Sequence, residues 1–219
     1  MAPSTVFNNI KKSSQDPLEY RMVKLDNEMT AFLIRDKEAT KSSAAVAVHV
    51  GSFRDPVEFQ GIAHFLEHML FMGSEKYPDE AAYREFVTKN GGSTNAYTSV
   101  LLTNYYFDCS KDAFYEALDI FSQFFKCPLL DEQWVSKEVN AVNSEAEMNL
   151  NNDFWRLFQL LKSFGKKDHY FRNFTIGNNN TLNKDGIVDA LKAFHKQHYS
   201  SNQMSLVICT PDDLDTMQT

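Results

Sequence analysis

Residues Gly61 to Gly73 read GIAHFLEHMLFMG, and this stretch decides how the rest of the chain is read. Its run of helix-forming residues predicts a helix. Ile62, Ala63, Phe65, Leu66, Met69, Leu70 and Phe71 make that helix apolar nearly all round, which places it inside a core. Yet it carries His64, Glu67 and His68 in the pattern H-x-x-E-H. His64 and His68 are four residues apart, so they lie one turn apart on one face. Glu67 follows His64 by three and falls beside them. Two imidazoles so spaced can share one divalent ion, and zinc accepts such nitrogen ligands. A carboxylate next to the metal but not bound to it can take a proton from a metal-bound water.

A solvated helix face is the competing reading, because His and Glu are common there. The apolar flanks oppose it. Burying two His and a Glu without partners costs about 1–3 kcal/mol for each unsatisfied group. A shared cation removes that cost. The order of residues is the zinc-binding H-E-x-x-H motif run backwards.

A catalytic zinc usually has three protein ligands and one open position. The third is sought in the predicted helix 131–150, which contains EVNAVNSEAEMN. Glu138 and Glu145 are seven residues apart, two turns, and share one face; Glu147 points elsewhere. Either Glu138 or Glu145 could reach the metal, and the other could orient a ligand His through its remaining N–H. Val135, Ala141 and Val142 make that face apolar, which favours a buried role over a solvated one.

At 219 residues the chain can bury a real core. Its 43% hydrophobic and 23% charged residues are ordinary for a globular chain. A net charge of −7 and a pI near 5.4 disfavour a nucleic-acid partner. Cys109, Cys127 and Cys209 are odd in number, scattered and free of any C-x-x-C, which favours a reducing compartment. No apolar run is long enough to span a bilayer. The start, MAPSTVFNNIKKSSQDP, lacks a signal-peptide core. The chain therefore reads as cytoplasmic, with a mitochondrial address second. The sequons at Asn173 and Asn179 mean little without a secretory signal.

In order, 1–18 reads as a flexible polar arm and 19–219 as one domain. Tyr20–Leu25 and Met29–Ile34 predict a hairpin, Lys37–Ser43 a polar loop and Ala44–Val50 a buried strand. Asp55-Pro56 is expected to open the motif helix and Gly73 to close it. A second helix is expected from Pro78-Asp79 to Lys89, then a break at Asn90-Gly91-Gly92 and strands over Ser93–Thr98 and Leu101–Cys109. Helices are predicted over Ala113–Phe125, from Asp131 to Leu150, over Phe154–Phe164 and over Ile187–Tyr199. The stretch 166–186 reads as polar and irregular. Met204–Cys209 predicts a last strand and Pro211–Thr219 a polar end. Strands and helices mix without a βαβ repeat, so the fold class is α+β.

HFLEHMLFMG, GGSTNAYT, TNYYFD, QFFKCPL, EVNAVNSE and FWRLFQL together resemble the inverted-zincin peptidases of the insulin-degrading enzyme group, which includes nardilysin and the yeast a-factor processing proteases. The resemblance runs from about Tyr20 to the end. It implies a mostly antiparallel sheet with helices on one face, zinc as cofactor and peptides as substrates. It implies that His64, His68 and Glu145 are the zinc ligands, that Glu67 is the general base, and that Glu138 orients a ligand. Asn95 and Ala96 would pair with the peptide as an added strand. Trp155 and Phe158 would line a primed-side pocket; core packing is the alternative for both. His49 is expected to be structural, and His169, His195 and His198 structural or exposed.

Members of that group are longer, resembling four related α+β domains joined as two bowl-shaped halves. By that resemblance this chain corresponds to the first, catalytic domain and reads as cut short at its C-terminal end. The other half would supply an Arg and a Tyr that assist the transition state, donors worth about 2.7–4 kcal/mol each. Three readings follow: a zinc metalloendopeptidase completed by a C-terminal half or a self-dimer; a zinc- or peptide-binding module with little turnover; or a truncated paralogue that assembles with a full-length relative. The isolated chain is expected to turn over poorly and to gain activity from a C-terminal half.

Overall fold

The predicted strands assemble into one sheet, and the one expected to be buried alternates buried and half-buried residues over 44–48. The computed structural model describes residues 5–167 and 169–219. In chain order its strands are β1 (Thr5–Phe7), β2 (Glu19–Lys24), β3 (Thr30–Arg35), β4 (Lys41–Val48), β5 (Ser93–Thr98), β6 (Thr103–Ser110) and β7 (Met204–Thr210). Its helices are α1 (Ile62–Leu70), α2 (Ala82–Lys89), α3 (Phe114–Lys126), α4 (Glu132–Leu150), α5 (Asp153–Ser163), α6 (Asn179–Leu182), α7 (Ile187–His198) and α8 (Leu214–Gln218). The strands form one sheet in the order β1-β2-β3-β7-β4-β6-β5. Only β3 and β7 run parallel; the other neighbours are antiparallel.

Register explains the core. Ala44 pairs with Phe107 and Val46 with Tyr105, and all four are buried on one face. Tyr83 of α2 and Phe121 and Phe124 of α3 pack there, with Phe107 and Phe121 rings 5.1 Å apart. α1 lies between β5, at the edge of the sheet, and α4. Phe65, Leu66, Met69 and Leu70 of α1 are wholly buried. Fully burying each such side chain contributes about 1.5–3 kcal/mol, so α1 is anchored by packing. Among the described residues no helix is long and apolar enough to cross a membrane.

Several local expectations are corrected. Residues 1–4 of the polar arm lie outside the described residues, and Thr5–Phe7 pair with β2 instead of running loose. β4 begins at Lys41, inside the expected loop, because Lys41–Ser43 continue the ladder opposite Asp108–Ser110. Asp55-Pro56 does not open α1. A 3-10 turn, Val57–Phe59, intervenes, and α1 starts after Gly61 at φ +91°. α1 ends before Gly73, and α2 begins at Ala82, with Asp79 holding the preceding turn through Ala81 N. A 3-10 turn, Tyr170–Arg172, and α6 interrupt the 166–186 stretch, and α8 occupies the polar end. Asp131 caps α4 as expected, through Gln133 N.

Candidate metal centre

α1 presents His64 and His68 side by side, their ring centres 4.8 Å apart. α4 crosses α1 and brings Glu138 and Glu145 to the same place. Its buried face is Glu138, Val139, Val142 and Ala146, so Ala141, expected on that face, is exposed. Glu145 Oε2 is 3.5 Å from His64 Nε2 and 3.7 Å from His68 Nε2. One ligand atom from each of His64, His68 and Glu145 lies within 4.8 Å of the other two. Tetrahedral zinc with bonds near 2.0–2.1 Å separates its ligands by about 3.3 Å. The two His–Glu separations match that edge to within a few tenths of an ångström, so the donor set fits the ion.

The other ring nitrogens are taken. His64 Nδ1 donates to the carbonyl of Ile176 at 2.8 Å, which leaves Nε2 with the free lone pair. His68 Nδ1 lies 3.3 Å from Glu138 Oε2 and donates to it. Burial alone would depress His68, but Glu138, Glu145 and Glu67 around it outweigh burial and push its pKa up to about 9. The side chain of Glu145 is 40% exposed and is held below the usual carboxylate range, first by its hydrogen bond from His68.

Glu67 stands apart from that trio in both geometry and electrostatics. It is buried, and burial pushes its carboxyl up; His64, the Thr98 hydroxyl and His68 pull the other way. Thr98 Oγ1 donates to Glu67 Oε2.

His64, Glu67, His68, Asn95, Ala96, Thr98, Glu145, Trp155 and Ile176 share one cleft of about 430 Å³. Among the described residues β5 bonds only to β6, so its other edge is open beside the cleft. The Ala96 N–H is bonded to Asn95 Oδ1 at 2.9 Å, so an incoming strand would have to displace that side chain. Trp155 and Phe158 are half-buried, not core, and with Ala146, Leu150 and Phe174 they line an apolar groove adjoining the cleft. His49 is exposed, 3.2 Å from Ser205 Oγ, and His169, His195 and His198 pack on Tyr170, Tyr199 and Phe194.

The sequence does not single out Thr98, the Ile176 carbonyl or Lys162, and it marks Asp55 only as a helix opening. Thr98 had a signal, since it ends the GGSTNAYT block. Ile176 had none, because a carbonyl carries no residue identity.

The family described as insulinase (peptidase family M16) matches residues 30–168. The insulin-degrading enzyme of Homo sapiens is 48% identical over 218 residues, 97% of this chain and 21% of that protein. The A-factor-processing enzyme of Saccharomyces cerevisiae is 46% identical over 212 residues, 94% of this chain and 21% of that protein. The crystal structure of pitrilysin superposes with a TM-score of 0.95 at 38% identity, covering 98% of this chain and 23% of that one. The chain thus spans about a fifth of the length of the curated relatives it matches.

Proposed function

The chain belongs to the insulinase family of peptidases, and from that premise we propose that it is the zinc-holding catalytic domain of a metalloendopeptidase. The observation that carries this reading is the convergence of His64, His68 and Glu145 within 4.8 Å, with Glu67 beside them and outside the trio. His64 Nε2, His68 Nε2 and Glu145 Oε2 would hold the ion, and Glu138 and the Ile176 carbonyl set the rings through Nδ1. Bound there, zinc supplies a Lewis acid that polarises a peptide carbonyl and acidifies water.

The chain's own residues do the rest. Glu67 accepts the proton of the attacking water, and the water oxygen adds to the peptide carbonyl carbon. The C–N bond then breaks, and Glu67 returns the proton to the departing amine. Thr98 fixes one oxygen of Glu67 and so aims the other. The substrate joins β5 as an extra strand once Asn95 swings aside from Ala96 N. This mode uses backbone groups and tolerates many sequences. Trp155 and Phe158 offer an apolar seat for a substrate side chain.

A second reading is a zinc- and peptide-binding module completed by a further stretch of polypeptide or a partner, and the one-fifth span favours it. One assay bears on both: chelator-sensitive cleavage of a fluorogenic peptide, with Glu67→Gln beside the wild type. Zinc is expected to stay in the variant while cleavage falls by about 10²–10⁴-fold. Equal cleavage by both would contradict Glu67 as the base. Zinc and peptide binding by the wild type, with no turnover even when the C-terminal half of a relative is added, would select the second reading.

A further inference from the structure

A buried lysine has no part in the chemistry above. Lys162, in the last turn of α5, is only 1% exposed. Its Nζ donates to Thr175 Oγ1 at 3.3 Å and stands 5.5 Å from the centre of the Phe158 ring. A second buried titratable group, Asp55, accepts from Gly61 N at 2.8 Å and Ala63 N at 3.1 Å, at the start of α1. Each group favours the ionised form of the other, while burial opposes both.

The segment 173–177 is fastened over the start of α1. Phe174 N donates to Gln60 Oε1 at 2.7 Å. Gly61 and Gly177 meet backbone to backbone, so closely that a Cβ on Gly61 would fall 2.4 Å from Gly177 Cα. Between those fastenings sit Thr175, held by Lys162, and Ile176, whose carbonyl accepts from His64 Nδ1. An ammonium is costly to bury, and an apolar side chain of the same length would fill the space without that cost.

We propose that Lys162 is a positioning residue for the metal centre: by gripping Thr175 it fixes the strap whose Ile176 carbonyl orients the His64 ring. This rests on His64 being a zinc ligand. The ring's tilt decides where Nε2 points, so a loose strap spreads the position of one ligand atom.

The test uses the full chain with Lys162→Met, Thr175→Val and the double variant. Three quantities are read: zinc affinity by chelator competition, the visible spectrum of the cobalt-substituted protein, and the His64 tautomer by nitrogen NMR in metal-free protein. Each single variant is expected to lower zinc affinity by about 10–100-fold. The double variant should lose no more than Lys162→Met alone, because both act through one contact. Metal-free His64 should pass from one Nδ1–H tautomer to a mixture. Variants that keep wild-type zinc affinity, cobalt spectrum and His64 tautomer would overturn the proposal, even if they melt at a lower temperature. Thr175→Val removes only a half-buried hydroxyl, so it decides the matter if Lys162→Met does not fold. A tautomer mixture in the variants beside a wild type that binds no zinc would sink the metal assignment, and the proposal with it, leaving only the strap's hold on the His64 ring.

Discussion

His68 is engaged at both ring nitrogens: Nδ1 with Glu138 and Nε2 toward Glu145. Glu138 is buried and on the far side of the ring from Glu145, so it orients His68 without reaching the ligand position. Glu138→Ala leaves Nδ1 unpartnered and frees the ring to turn. Zinc affinity, read by chelator competition, is expected to fall by about 10–100-fold while the fold is kept. An unchanged affinity would mean that packing alone orients His68. The neighbouring carboxylates are separated in the same way. Burial raises Glu67, while His68 holds Glu145 down, so one is suited to carry a proton and the other to remain an anion. The motif residues were legible in the sequence, because a helix fixes what lies one turn away. The choice between Glu138 and Glu145 was not legible from spacing. It depends on how α4 crosses α1.

At the scale of elements, α1 owes its start to a residue six positions upstream of Gly61. Asp55 accepts from two N–H groups that an opening helix turn leaves unpaired, at 2.8 and 3.1 Å. The sequence reading used Asp55-Pro56 as the helix opening itself. The pair instead leads into a 3-10 turn, and the carboxylate reaches across it. Burial pushes Asp55 up to about 7, against the pull of both N–H groups and Lys162. The folded chain therefore keeps a proton that the unfolded chain, near 3.8, has released. Stability from that proton is full below about pH 4 and is lost as pH rises toward 7. Asp55→Asn cannot titrate there. Urea unfolding at pH 5 and pH 7.5 should therefore show the wild type losing stability relative to Asp55→Asn as pH rises. Parallel behaviour would contradict the burial of an ionisable Asp55. Strands were legible because alternation and small residues are local signals. The ends of α1 and α2 and the edge strand β1 were not, because contacts distant in sequence set them.

At the scale of the whole molecule, one sheet edge, one apolar helix and one crossing helix build the site, and all three lie within this chain. The fold was legible from the family blocks and from the mixed strand–helix order. The strap over His64 was not, since residues 166–186 carry neither period nor motif. The chain covers about a fifth of its relatives' length, yet it contains every ligand the proposed centre needs. Metal binding is thus expected of this chain alone, whatever else turnover requires. The decisive measurement is zinc content per purified chain by elemental analysis, with His68→Ala and Glu145→Gln prepared in parallel. The account predicts one equivalent in the wild type and a large loss in both variants. Equal zinc in all three proteins, or none in any, would contradict it.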